Sequence, residues 1–266
     1  MPTLKDLAIK MIQDWERRIS FDPDFWMAER TSSPEDFAQS GLRDLHSLLH
    51  NLNYNDLLSW SALEYGCGSG RITQSAGRFF NSVKGLDISE AGVQAAVTRT
   101  VNQQNISIEK CDGTSLNNQT NQLYNIIFSY AVLSHLHVSV LAALFLEFNR
   151  VLKSGGELRM QLFSSDTTTL RDQSDTLTAR GYAPSSLIKA LELAGFAEVH
   201  ISEMKLPFDA SFENSLFPVV VSAQKGMHVI SASSNQIATE LSRDQVLRSE
   251  SFIECSMLYD QFNYQV

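Results

Sequence analysis

A glycine-rich turn that directly follows a short apolar segment constrains the fold of this 266-residue chain more than any other feature. Residues 61–65 are mostly apolar and include one acid, Glu64, and glycines then recur at alternate positions, Gly66, Gly68 and Gly70. Glycine has no Cβ atom, so its backbone can turn sharply and can approach a ligand closely. The segment therefore predicts a strand that leads into a ligand-binding turn and then into a helix over 71–80.

The chain from residue 60 to residue 224 alternates between strand and helix patterns. Short apolar runs predict strands at 61–65, 83–87, 105–110, 123–130, 157–163, 196–202 and 216–224. Between them, helices are predicted after the N-cap Ser89, at 138–152 before a turn at 153–156, and after Pro184. The run at 123–130 is nearly all apolar, which is typical of a strand buried on both faces. This alternation predicts an α/β fold with a doubly wound, mostly parallel sheet.

The first sixty residues have helical patterns only. Apolar residues recur at helical spacing over 4–18, a short helix is predicted through Phe25 and Trp26, and Ser33 with Pro34 marks the start of a third helix that ends near residue 50. The three predicted regions are an N-terminal helical cap at 1–59, an α/β core at 60–224 and a C-terminal extension at 225–266. The extension has weak helical patterns at 237–246 and 252–262 and no motif that assigns it a role.

Two further acids end predicted strands. Asp87 follows the second strand about twenty residues after the glycine turn, where a carboxylate can accept hydrogen bonds from the hydroxyls of a ribose. Asp112 follows the third strand and precedes Gly113, and it can accept a hydrogen bond from the exocyclic amine of an adenine. This spacing predicts a cofactor that contains adenosine.

With these residues in order, the chain resembles the class I S-adenosylmethionine-dependent methyltransferases. The resemblance covers most of residues 62–224 and includes the acid and alternating glycines, the segment 126–136 and the helix, turn and strand of 147–158. It implies a seven-stranded sheet in the order 3-2-1-4-5-7-6, with the seventh strand antiparallel, and S-adenosylmethionine as the cofactor, with S-adenosylhomocysteine as the product. The N-terminal helices would cap the edge of the sheet where the strands end.

The resemblance also implies roles for individual residues. The three glycines would line the methionine and ribose of the cofactor, Glu64 would orient its amino group, and the Ser129 carbonyl would face its ammonium. Asp87 would bind the ribose, Ile88 would pack on the adenine, and Asp112 with Gly113 would bind its polar edge. The implied cofactor-binding set is Glu64, Gly66, Cys67, Gly68, Gly70, Asp87, Ile88, Asp112, Gly113 and Ser129.

The nearest alternative for the glycine turn is an NAD-binding oxidoreductase. That fingerprint requires a third glycine two residues after Gly70, where this chain has Ile72. For methyl transfer, the best candidate for a general base is His135, with His137 weaker, although a structural role for His135 as a cap of the following helix is the more ordinary interpretation. Phe25 and Trp26 could cover the site or could only pack in a core.

Composition narrows the class of partner. The formal net charge is -9, so no overall positive field favours binding to nucleic acid. The chain has three cysteines, which are far apart, so no disulfide framework and no metal site are predicted, and we expect a cytoplasmic protein without a membrane span.

The acceptor is the least constrained part of this prediction. We expect a small molecule, selected by residues 1–55 and the polar stretch 164–182, and the oligomeric state is left open. The alternatives are a methyltransferase that acts on protein or RNA, and a noncatalytic module that binds the cofactor and a partner.

Overall fold

The computed structural model describes residues 2–24, 26–27, 33–166, 176, 179–204, 216–227 and 230–243. The strands are β1 (Ser61–Tyr65), β2 (Ser82–Asp87), β3 (Ile106–Lys110), β4 (Tyr124–Ser129), β5 (Leu152–Ser164), β6 (Gly181–Tyr182), β7 (Phe196–Glu203) and β8 (Phe217–Lys225). The helices are α1 (Leu4–Phe21), α2 (Pro34–Leu48), α3 (Tyr54–Leu57), α4 (Arg71–Ala76), α5 (Glu90–Thr100), α6 (Val138–Val151), α7 (Pro184–Leu193) and α8 (Ser234–Leu241). A 3-10 helix, Leu133–His135, lies between β4 and α6.

The strands form one sheet in the order β3-β2-β1-β4-β5-β8-β7. β1 pairs in parallel with β2 and β4, whereas β8 pairs antiparallel with both β5 and β7. This confirms the predicted order and the antiparallel last strand. The two-residue strand β6, which pairs with the end of β5, was not predicted, because two residues cannot show a hydrophobic period.

The core lies on both faces of the sheet. Helices α1, α6, α7 and α8 contribute to one hydrophobic cluster, and α2, α3 and α4 contribute to the other. β4 separates the two, since Ile127 belongs to the first cluster and Ile126 and Phe128 to the second. The prediction that this strand is buried on both faces is confirmed.

The N-terminal helices flank the sheet near the glycine turn. α1 starts with a capping box between Thr3 and Asp6 and buries Leu7 and Met11 in the first cluster. α2 starts at Pro34 after the N-cap Ser33, as predicted, and packs closely on α4. A Cβ atom at Gly41 would lie 2.4 Å from the Arg71 carbonyl oxygen, so only glycine permits this approach of α2. No helix in the described ranges is long and apolar enough to cross a membrane.

Two predicted element boundaries in the core are wrong. α4 ends at Ala76 instead of residue 80, because the Asn105 side-chain amide donates to the carbonyls of Gly77 and Phe80 at 2.9 and 3.0 Å and stabilises a turn there. β5 starts at Leu152, directly after α6, and not at residue 157. Residues 153–156 therefore belong to the strand, where its register against β4 shifts. Both differences depend on contacts between distant segments.

Several predicted elements lie wholly or partly outside the described residues. Phe25 is outside, and its neighbours Trp26 and Met27 lie in a turn and not in a helix. Of the stretch 164–182, residues 167–175 and 177–178 are outside, as is the predicted helix at 252–262. The pattern at 237–246 corresponds in part to α8, which buries Ile237 and Leu241 against the core and therefore makes the start of the C-terminal extension part of the fold.

Candidate cofactor and acceptor site

The glycine turn after β1 has a backbone that other residues rarely adopt. Gly66, Gly68 and Gly70 have φ values of 79°, 51° and 81°. A Cβ atom at Gly66 would lie 2.4 Å from Cγ2 of Val132, and one at Gly68 would lie 2.1 Å from Sδ of Met27. The predicted turn is therefore present, and two of its glycines are in close contact with side chains that approach from other segments.

Asp87 joins this turn to the end of β2. Its side chain is buried, and its two oxygens accept hydrogen bonds from the backbone N–H groups of Gly68 at 2.7 Å and Ser89 at 2.9 Å. Burial raises the pKa of Asp87 above its usual value, and the backbone donors partly oppose that shift. The carboxyl group thus fixes the turn and faces the same edge of the sheet.

Glu64, at the end of β1, is buried beneath the turn. The Thr73 hydroxyl donates to its carboxyl group at 2.5 Å, and burial raises its pKa to about 8. Arg71 acts in the opposite direction on this pKa, but its guanidinium points to α2, where it lies 2.6 Å from Asp44. Glu64 therefore has a hydrogen-bond partner inside the protein, and the Arg71 guanidinium, which opposes its protonation, is also paired with α2.

The loop after β3 holds the predicted adenine-binding residues. Asp112 accepts hydrogen bonds from the backbone N–H groups of Thr114 and Ser115, both at 2.7 Å. Burial favours the neutral acid, but these hydrogen bonds and those from the two hydroxyl groups outweigh it and hold the pKa of Asp112 below its usual value. A Cβ atom at Gly113 would lie 2.9 Å from Cγ2 of Ile88. Asp112, Gly113 and Ile88 are thus brought together.

Tyr65 is a residue of this site that the sequence analysis missed. It is buried directly after Glu64, and its hydroxyl donates to the Gly113 carbonyl at 2.9 Å. Its own carbonyl accepts from the hydroxyl of Ser129 at 2.8 Å. Tyr65 therefore links the ends of β1, β3 and β4. The available signal was an aromatic residue with a polar tip at an otherwise apolar strand end.

The segment after β4 bends over the glycine turn. Ala131 has φ of 56°, an uncommon value for a residue with a side chain, and its N–H donates to Oε1 of Gln161 at 3.2 Å. This conformation precedes Val132, whose side chain contacts Gly66. Such local strain often lies at ligand sites.

The two cysteines near the turn are not activated. Cys67 is buried, and burial raises the pKa of its thiol well above the usual value. Burial likewise raises the pKa of Cys111 to about 12. Neither thiol is ionised near neutral pH, so neither is a nucleophile.

Comparison with known proteins finds a family model that is similar to part of the core. Residues 62–156 match the family model described as a methyltransferase domain. This match contains the glycine turn, both predicted strand-end acids and the segment after β4. Over these residues the chain is similar to a methyltransferase domain, and its sheet has the class I methyltransferase fold. No curated protein sequence matches the chain significantly.

Solved structures with the same fold share little sequence with it. Phosphoethanolamine N-methyltransferase 1 of Haemonchus contortus superposes with a TM-score of 0.64 at 16% identity, over 96% of this chain and 56% of that one. This chain thus corresponds to little more than half of that enzyme. The 1,6-didemethyltoxoflavin-N1-methyltransferase of Burkholderia thailandensis gives 0.65 at 17% identity, over 85% of this chain and 92% of that one. The N-methyltransferase NodS of Bradyrhizobium japonicum gives 0.58 at 16%, over 81% and 98%.

His135 lies on the 3-10 helix, beneath α1. The centroid of its ring is 5.5 Å from that of Trp15, and its backbone carbonyl accepts from the guanidinium of Arg180 at 2.7 Å. The interpretation of His135 as the cap of α6 is wrong. His137 is the N-cap, and its Nδ1 accepts from the Ser139 N–H at 3.1 Å.

A segment of the N-terminal region crosses the glycine turn; we call residues 22–24 and 26–27 the N-terminal strap. Asp24 accepts from the Ser69 hydroxyl at 2.7 Å and from Nη2 of Arg99 at 2.6 and 2.8 Å. Arg99 also donates from Nε to the Ser69 carbonyl at 2.8 Å. The strap places Met27 against Gly68. Sequence patterns gave no signal for Asp24 or Arg99, because their contact joins distant segments.

α1 covers the adjoining part of the strand-end edge. The Glu16 carboxylate accepts from the backbone N–H groups of Glu90 and Ala91, at 2.6 and 3.2 Å, and so caps the start of α5. Burial opposes the ionised form, but the hydrogen bonds hold the pKa of Glu16 below its usual value. Together with the packing of Met11 near Gly113, this contact encloses the site.

Proposed function

We propose that this protein transfers the methyl group of S-adenosylmethionine, by in-line displacement, to an oxygen or nitrogen atom of a small-molecule acceptor. The observation that carries the proposal is the convergence of the glycine turn, Asp87 and the loop at 112–113 on one enclosed edge of the sheet.

The residues at this edge fit an adenosine-containing cofactor. Gly66, Gly68 and Gly70 leave the turn without Cβ atoms, so its backbone can approach a ligand closely, although the Met27 side chain lies beside Gly68. Each oxygen of Asp87 accepts a hydrogen bond from a backbone N–H group, and a carboxylate oxygen can accept a second, here from a ribose hydroxyl. Asp112 and Ile88 would hold the adenine, and the Ser129 carbonyl would hold the ammonium group. Met27 must shift as the cofactor enters.

The protein's contribution to the reaction is mainly positional. The cofactor supplies an activated methyl group on a sulfonium, so the protein must align the acceptor and exclude water. α1 and the N-terminal strap would exclude water by covering the edge. His135 would accept a proton from an acceptor that is protonated at the working pH, as a general base.

The region around His135 is enclosed, which favours a small molecule as the acceptor of the methyl group. Trp15 lies over His135, and Arg18, which is 7% exposed, lies over Trp15 with its guanidinium 5.3 Å from the ring centroid. A protein or RNA substrate would need an open groove here. The three structural neighbours described above are N-methyltransferases, and the names of two include a small molecule, which supports the same choice.

Radiolabelled transfer tests this proposal directly. The protein would be incubated with S-adenosylmethionine labelled in its methyl group and with a cell extract separated by size into metabolites and macromolecules. We expect label in the metabolite fraction, with none from the Asp87→Ala variant. Label confined to protein or RNA would overturn the small-molecule acceptor. Binding of S-adenosylhomocysteine without transfer to either fraction would favour a noncatalytic module.

A further inference from the structure

A group of hydrogen-bond donors lies on and beside the 3-10 helix; we call Ser134, Arg180 and Tyr182 the donor cluster. The N–H of Arg180 donates to the Ser134 carbonyl at 2.9 Å, which brings the residues before β6 against the 3-10 helix. The Arg180 side chain donates to the carbonyl of His135 at 2.7 Å. The charge of Arg180 acts on the phenol of Tyr182, so these two side chains lie near each other.

The donor cluster is inside the protein. Tyr182 and Ser134 are fully buried, and Arg180 is 1% exposed. The hydroxyls of Ser134 and Tyr182 have no hydrogen-bond partner among the described residues. Buried hydroxyls are nearly always paired, because the loss of hydrogen bonds to water is otherwise uncompensated. Two unpaired hydroxyls on neighbouring segments therefore indicate a hydrogen-bond acceptor that the described residues do not provide.

The charge of the cluster indicates the chemistry of that group. Burial raises the pKa of Tyr182 to about 12, although the nearby charge of Arg180 acts in the opposite direction, so the phenol remains a hydrogen-bond donor at neutral pH. Arg180 adds a permanent positive charge and has only donors. A site with one guanidinium and two hydroxyl donors is complementary to an oxyanion.

We propose that the donor cluster binds an oxyanion group, a phosphate or a carboxylate, on the acceptor. This inference rests on the proposed function, because it identifies the part of the acceptor that is not methylated. Ser134 immediately precedes His135, so a group held by the cluster would place the rest of the acceptor beside His135 and Trp15.

Anion binding to the cofactor-loaded protein tests the proposal without an identified acceptor. Inorganic phosphate and acetate would each be titrated calorimetrically into the complex with S-adenosylhomocysteine. We expect saturable binding that is about tenfold weaker in Tyr182→Phe, which removes only the hydroxyl. Ser134→Ala should weaken it in the same direction. Tighter binding of phosphate than acetate would indicate a phosphorylated acceptor, and the reverse a carboxylate.

The matched control is Tyr124→Phe. Tyr124 is also a buried tyrosine, but its hydroxyl donates to Gln119 at 2.5 Å, and Gln119 is not part of the donor cluster. Phosphate and acetate should bind this variant as they bind the wild type. Absence of anion binding, equal affinity in Tyr182→Phe, or a crystal structure in which a water molecule alone occupies the cluster would overturn the proposal.

The test separates this proposal from the proposed function. An enzyme that labels small molecules but binds neither anion would retain its function and lose the oxyanion site. A protein that binds phosphate through Tyr182 but transfers no methyl group would retain the site and lose the enzymatic proposal.

Discussion

Replacement of Gly66 by alanine tests the geometry of the glycine turn. The new Cβ atom would lie 2.4 and 2.7 Å from the two γ-methyl groups of Val132, at a residue with φ of 79°. The left-handed conformation costs a residue with a side chain about 1–2 kcal/mol, and overpacking in a buried site costs about 1–3 kcal/mol more. We therefore expect Gly66→Ala to lower the free energy of unfolding by about 2–5 kcal/mol.

Gly155→Ala is the matched control. Gly155 has a similar φ of 69°, but a Cβ atom there would meet nothing within 4 Å. Its cost should be the conformational part alone, about 1–2 kcal/mol. Each substitution of glycine by alanine also lowers the conformational entropy of the unfolded chain. This effect is the same for both variants and cancels when their free energies of unfolding are compared.

Urea unfolding with unchanged m values gives both free energies. A second comparison adds Val132→Ala, which removes the two methyl groups, and the loss from Gly66→Ala should then be smaller. Equal destabilisation by Gly66→Ala and Gly155→Ala, or no relief from Val132→Ala, would refute the contact between the glycine turn and the segment after β4.

Three more predictions concern the cofactor edge. Asp87→Asn should weaken the binding of S-adenosylhomocysteine by about tenfold or more, measured by calorimetry, because a ribose hydroxyl loses a charged acceptor; equal affinity would contradict that role. Asp24→Asn should speed dissociation of S-adenosylhomocysteine by up to about fivefold, because the partly exposed pair of Asp24 with Arg99 contributes about 1 kcal/mol or less. Stopped-flow fluorescence measures this rate. An unchanged rate would show that the N-terminal strap does not retain the cofactor. The pKa of Glu64 is about 8 in the folded protein and about 4.5 in the unfolded chain, so the stability that its protonated form contributes is lost as pH rises through this range. Glu64→Gln should make the free energy of unfolding fall less over the same pH range. An identical pH profile of unfolding in the variant would contradict the raised pKa.

Sequence patterns predicted the sheet well because its strands are apolar runs between recognisable turns. The strand order followed from the resemblance to the class I methyltransferases, and the structure confirms it. The patterns failed where tertiary contacts override local preference. Asn105 ends α4 from a distant position, and β6 is too short to show a period.

The residues of the candidate site likewise fall into those that sequence patterns predicted and those that they missed. The glycines and Asp87 were predicted because their spacing is dictated by a turn and two strand ends. Tyr65, Asp24 and Arg99 were missed, because each acts through a hydrogen bond to a segment far away in the chain. Spacing in one sequence contains no information on such pairs.

Calorimetric titration of the wild-type protein with S-adenosylhomocysteine, and separately with NAD, shows which of the two cofactor types the glycine turn binds. Both ligands contain an adenosine, so a difference in affinity between them depends on the rest of the cofactor. The turn has Ile72 in place of the third glycine of the NAD-binding fingerprint. We expect saturable binding of S-adenosylhomocysteine and no binding of NAD. Binding of NAD without binding of S-adenosylhomocysteine would contradict this expectation.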